Sequence, residues 1–126
     1  MELSNAYFWD TYAFYRFVKG SDVYLNYAKN SFIVTTRLNL MELHYILLSD
    51  FGKEIADYYY DRFIDLTIDV DDMIVKKANG FKLAFKNRKF SYVDCIGYIL
   101  AKVRGVRFLT GDSQFKDLDN VEFAND

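Results

Sequence analysis

Short β-favouring runs and helical patterns take turns along the whole chain. Residues 6–9, 32–35 and 66–68, the run containing Val106, Phe108 and Leu109 that closes on Thr110, and residues 121–123 read as strands. Between them, apolar residues recur at helical spacing over residues 12–18, 23–28, 36–49, 53–65, 71–86 and 91–104. Asn79-Gly80 is expected to interrupt the fifth of these helices, and Gly105 to end the sixth in a left-handed cap. Parallel strands need a crossover, usually a helix, so the alternation predicts an α/β fold with a mainly parallel central sheet of about five strands flanked by helices.

At 126 residues, 52% hydrophobic and 19% aromatic, the chain suits one domain over residues 1–126 with an ample core, and excludes a disordered polymer. It has no proline, and no linker, repeat or low-complexity tract. No apolar run approaches the roughly 18 residues of a membrane helix, and the first residues lack the pattern of a signal peptide, so a soluble, cytoplasmic protein without membrane contact is expected. A single cysteine, Cys95, has no partner for an internal disulfide and reads as a buried helix residue. With one histidine, His44, the chain lacks the soft ligands of a structural zinc site, so any metal would be held by oxygen.

The net charge of −2 hides a strong asymmetry. Residues 76–107 carry nine basic residues and one acid, Asp94. Eight acids crowd into residues 50–72, where Glu54, Asp57, Asp61 and Asp65 share one helical face, most simply a solvated one. The basic block attracts phosphate, although a solvated basic face explains it as well.

Against this background four acids stand out. Asp10 and Asp112 each follow a strand, where ligands collect in an open α/β sheet. Asp94 opens a helix that leads into a strand, and Glu42 is the lone acid in the apolar helix LNLMELHYILL. For Asp10 and Asp112 a plain helix cap or turn is the simpler account, and Ser91-x-x-Asp94 matches a capping box. Glu42 fits such an account least, because a carboxylate beside a buried face needs a partner. Together the four supply hard oxygen ligands suited to Mg²⁺ or Mn²⁺.

WDT after the first strand, LMEL in the helix after IVTT, SYVDC opening a helix and FLTGDSQF after the next strand resemble, in order, the four acidic signatures of the PIN domain. PIN domains are small α/β nucleases, and single-domain members of this length are similar to the VapC toxins of prokaryotic toxin-antitoxin pairs. The resemblance implies a three-layer sandwich in which Asp10, Glu42, Asp94 and Asp112 form the metal-site carboxylates and Thr110 accompanies the last. Thr11 and Ser113 are candidate neighbours of that site.

What the resemblance implies chemically is hydrolysis of an RNA phosphodiester assisted by Mg²⁺ or Mn²⁺, leaving 5′-phosphate and 3′-hydroxyl ends. One or two ions would polarise the phosphoryl oxygen and lower the pKa of the attacking water. Lys82, Lys86, Arg88 and Lys89, just before Asp94, are the candidate phosphate contacts. His44, two residues past Glu42, projects from another side of the helix and reads as structural. The 23 Phe and Tyr residues include three consecutive tyrosines, Tyr58 to Tyr60, of which at least one should face outward. Exposed aromatics suggest an interface, and the resemblance makes a homodimer and an antitoxin partner the expected assemblies. Two readings stay open beside the nuclease: a PIN-like module that binds RNA or protein without cleaving, and an unrelated doubly wound nucleotide-binding or receiver domain. The second finds no glycine-rich phosphate loop in the chain.

Overall fold

The computed structural model describes residues 5–125. The elements are β1 (Ala6–Trp9), α1 (Thr11–Val18), α2 (Asp22–Asn30), β2 (Phe32–Val34), α3 (Arg37–Phe51), α4 (Lys53–Phe63), α5 (Asp72–Ala84), α6 (Tyr92–Arg104), β3 (Arg107–Thr110) and β4 (Val121–Phe123). Short 3₁₀ turns lie at Ile64–Leu66 and Ser113–Phe115.

All pairings in the sheet are parallel, in the order β2-β1-β3-β4. Successive strand residues point to opposite faces. Phe8 and Phe108 therefore pack with Ile74, Ala78, Cys95, Tyr98 and Ala101 of α5 and α6, whereas Trp9 and Leu109 pack with Ala13, Phe14, Tyr24, Leu40, Leu43, Leu47 and Ala56 of α1 to α4. The result is the expected α/β/α sandwich.

Two details differ from the sequence expectation. Residues 66–68 form no strand: after the 3₁₀ turn, Thr67 makes a single parallel bridge to Thr35, through Thr35 N to Leu66 O at 3.1 Å and Ile68 N to Thr35 O at 2.9 Å. The segment touches the end of β2 for one residue pair and then leaves for α5, so among the described residues the sheet has four strands. Helix α5 also runs unbroken through Asn79-Gly80. A mid-helix glycine costs only about 1 kcal/mol, and Ile74 and Ala78, both 2% exposed, anchor the helix to the core.

Strand order reverses at β1, which sends the chain outward to β2 and takes β3 on its other side. The crevice at a ligand-binding switch point opens at the carboxyl ends of such neighbours, which here are Trp9 and Thr110. Two glycines allow close approach around it. A Cβ on Gly97 of α6 would stand 2.8 Å from the Phe8 ring, and one on Gly111 would stand 2.1 Å from the Tyr12 ring and 2.9 Å from the carbonyl oxygen of Ala124. Side chains there would push α6 off the sheet and the turn after β3 off Tyr12.

Candidate active site

Asp10 follows β1 and is the N-cap of α1: its Oδ1 accepts from the Ala13 amide at 2.8 Å. Its Oδ2 accepts from the Thr110 hydroxyl at the end of β3. That hydroxyl also accepts from the Asp112 amide at 3.0 Å, and Asp112 Oδ1 in turn accepts from the Gln114 amide at 3.0 Å, capping the 3₁₀ turn. At the start of α6, Ser91 and Asp94 form the capping box that their spacing suggests, with both bonds 3.0 Å long. Glu42, in the second turn of α3, accepts from the Thr11 hydroxyl at 2.7 Å. The partner that this half-buried acid requires is thus a hydroxyl of α1.

Each capping role of the aspartates is present, and each uses one oxygen. A cap and a ligand site are compatible because a carboxylate has two oxygens and four lone-pair directions. Among the described residues, Glu42 Oε2, Asp94 Oδ1 and Asp112 Oδ2 carry no hydrogen bond. The one buried side-chain polar atom without a partner among the described residues is Trp9 Nε1, so solvent reaches those three oxygens.

Electrostatics ties the four acids to one another. Burial lifts the Asp10 carboxyl, 4% exposed, to about 7, against the lowering pull of Thr110 and Ala13, and the charges of Asp94 and Asp112 lift it further. Burial also raises Asp94, opposed by its Ser91 bonds and by the Lys82 charge and assisted by Asp112. Glu42 is raised by burial, lowered by Thr11 and raised by Asp94. The acids therefore sit near enough to repel. They do not form a preassembled cage: among the described residues, no three His, Cys, Asp or Glu side chains stand together as a metal-ligating group. The all-oxygen donor set and the three solvent-reached oxygens nevertheless suit a hard divalent cation.

The neighbours are sorted differently. Thr11 joins the site through Glu42, whereas Ser113 is exposed and bonds to none of the four acids. Asn39 and Thr36, both buried, were not singled out from the sequence. Asn39 Nδ2 donates to Thr11 Oγ1 at 3.3 Å, and Thr36 Oγ1 donates to Asn39 Oδ1 at 2.6 Å and accepts from the Asn39 amide at 3.2 Å. The cue was Thr36-x-x-Asn39 at the head of an apolar helix, a capping pair whose amide is left to point inward. His44 bonds Asp57 at 2.8 Å and meets Tyr60 edge-on, in keeping with a structural role.

Of the four basic candidates, Lys82, Lys86 and Arg88 line one groove of about 310 Å³ with Asn79, Leu83 and Tyr92. Arg88 is committed to Asp117 through two 2.8 Å bonds and to the Gln114 carbonyl at 2.6 Å. Lys89 is exposed, and its amide donates to Gln114 Oε1 at 2.8 Å.

The PIN domain family model matches residues 7–121. No curated protein matches the sequence. Among solved structures, the chain resembles VapC20 of Mycobacterium tuberculosis, described as a sarcin-ricin loop cleaving toxin, with a TM-score of 0.74 and 16% identity over 91% of this chain and 98% of that one. It resembles a chain of VapBC2 from Rickettsia felis, bound to a DNA fragment from its promoter, with a TM-score of 0.70 and 23% identity over 95% and 98%. A chain of DNA-bound VapBC from Salmonella typhimurium gives a TM-score of 0.71 and 19% identity, with 98% of both chains covered. At these identities the shared property is the fold.

Proposed function

The chain belongs to the PIN domain family, and from that premise we propose that it is a ribonuclease that hydrolyses RNA phosphodiester bonds with Mg²⁺ or Mn²⁺ at Asp10, Glu42, Asp94 and Asp112. The observation that carries this reading is that Thr110 bonds both Asp10 and the Asp112 amide at the carboxyl ends of β1 and β3, while Asp94 raises both Asp10 and Glu42 by its charge and Glu42, Asp94 and Asp112 each keep an oxygen that solvent reaches.

A divalent cation held by these carboxylates would supply Lewis acidity toward a phosphoryl oxygen and lower the pKa of a bound water. The chain's own residues do the rest. Asp94 and Asp112 offer the oxygens that their caps leave unused, and the caps fix where those oxygens point. Glu42 is oriented by Thr11, and Asp10 by Thr110. Thr110 is a positioning residue, since its hydroxyl is spent on Asp10 and on the Asp112 amide. Lys82, Lys86 and Lys89 draw the substrate's phosphates toward a centre that would otherwise repel them. Arg88, paired with Asp117, contributes shape more than charge.

The VapC-type neighbours support the role of toxin in a toxin-antitoxin pair, with an antitoxin as protein partner. A homodimer is the proposed assembly. No helix among the described residues is long and apolar enough to cross a membrane, and the cytoplasm is the proposed location. Thermal denaturation tests the metal site: Mn²⁺ or Mg²⁺ should raise the melting temperature of the wild type and leave an Asp10→Asn, Asp94→Asn double variant unmoved. An equal rise in both places the metal elsewhere.

A further inference from the structure

The basic groove holds one feature that phosphate binding does not use. Tyr92, the first residue of α6, is 63% exposed, although it is a large aromatic ring standing two residues before Asp94. One side of the ring is held by the Lys82 ammonium, 4.8 Å from its centroid. Lys82 is itself fixed by donating to the Phe90 carbonyl at 2.6 Å. The ring is thus steadied from one side and open on the other, at the rim of a groove of about 310 Å³, near the small end of the range for small-ligand pockets, roughly 300–1,000 Å³.

We propose that this groove binds a short single-stranded segment of RNA, with one base stacked on Tyr92 and the flanking phosphates held by Lys82 and Lys86. The identity of the polymer rests on the nuclease reading above. Lys86 carries an ammonium with no hydrogen-bond or ion-pair partner among the described residues. The Arg88 charge is neutralised by Asp117, so the two lysines supply the field that a phosphate meets. Stacking needs a base face that is free of its neighbours, which a single strand offers and a duplex does not. Asn79, also on the groove wall, presents both a donor and an acceptor to a base edge. Tyr92 links the groove to the acids, since it stands two residues before Asp94 in the first turn of α6. A base stacked on Tyr92 therefore stands near the approach to Asp94, and Tyr92 selects the nucleotide presented there.

Binding is measured by fluorescence anisotropy with labelled single-stranded RNA and a duplex of the same length, using the full chain in EDTA so that no cleavage occurs. Tyr92→Ala should weaken single-strand binding about tenfold, Tyr92→Phe should keep it, and duplex binding should change little. Lys86→Ala should weaken binding to both and flatten the salt dependence of single-strand binding by about 0.7 in log–log slope. Because Tyr92 is exposed, an unchanged melting temperature certifies each variant. Wild-type affinity in Tyr92→Ala, an equal loss on duplex, or no binding by the wild type at low salt overturns the proposal. Binding in EDTA reads the groove and metal-dependent cleavage reads the carboxylates, so the failure of one is distinguishable from the failure of the other.

Discussion

The Thr110 hydroxyl donates to Asp10 across 100 residues of sequence, joining the ends of two neighbouring parallel strands. This bond pulls the buried carboxyl down while desolvation pushes it up. Thr110→Val keeps the shape and deletes the donor. It should cost about 1–3 kcal/mol in urea denaturation at pH 7, where Asp10 still ionises in part, and Thr110→Ser should recover much of that. Equal stability of Thr110→Val and wild type would show that the bond contributes nothing.

Asp10 also predicts a pH dependence of opposite sign to the usual salt-bridged carboxylate. Its folded pKa, about 7, lies above the ordinary value of 3.8. Between those limits the unfolded chain gives up the proton that the folded chain keeps, so metal-free stability falls as pH rises toward 7 and then levels off. Asp10→Asn removes this penalty. In EDTA the variant should gain on the wild type from pH 4 to 8, by up to about 4 kcal/mol at the upper end, and the two should converge below pH 4. Parallel stability curves for the two proteins would contradict the raised pKa.

Gly97 lets α6 lie on the sheet and so sets the depth of Asp94. In Gly97→Ala the new methyl stands 2.8 Å from an aromatic ring that is fully buried. The helix gains from alanine's propensity, but overpacking of this kind typically costs about 1–3 kcal/mol. Chemical denaturation should show a net loss, and cleavage should fall by more than the unfolded fraction explains. A variant more stable than wild type would mean that α6 can move away freely.

Helices α3 and α4 expose Met41, Tyr45, Leu48, Ile55 and Tyr58, an unusual amount of apolar surface for so short a chain. Of the three consecutive tyrosines, Tyr58 is the one that faces outward, at 57% exposure. Light scattering after size exclusion should give the mass of a dimer at micromolar concentration. A monomer there would remove the homodimer from the account.

The α/β alternation was legible because β-favouring runs and helical periodicity are local, and Asp10 and Asp112 could be located because they follow strands, Asp94 because it opens a helix and Glu42 because it is a lone acid in an apolar helix. The third strand pattern was misjudged for a tertiary reason: Leu66 to Ile68 has strand-like residues, yet the chain meets only Thr35 before turning into α5. Asn79-Gly80 misled because local propensity is weak beside the burial of Ala78. Side-chain partnerships were the least legible. Spacing alone could not pair Arg88 with Asp117, 29 residues away, or Glu42 with Thr11, 31 residues away. The caps themselves were legible, but that the caps of Asp94 and Asp112 each leave one oxygen without a hydrogen bond is a tertiary fact that no sequence pattern shows.

Cleavage of a mixed panel of labelled structured and single-stranded RNAs, with Mn²⁺, Mg²⁺ or EDTA, tests the central claim most directly, with wild type beside Asp94→Asn. Asn at 94 leaves the helix start intact through Ser91 Oγ while removing the charge. Cutting that requires the metal and is lost in Asp94→Asn is the predicted result. Cutting that persists in EDTA, or that Asp94→Asn retains in full, would contradict a metal-dependent nuclease built on these four carboxylates.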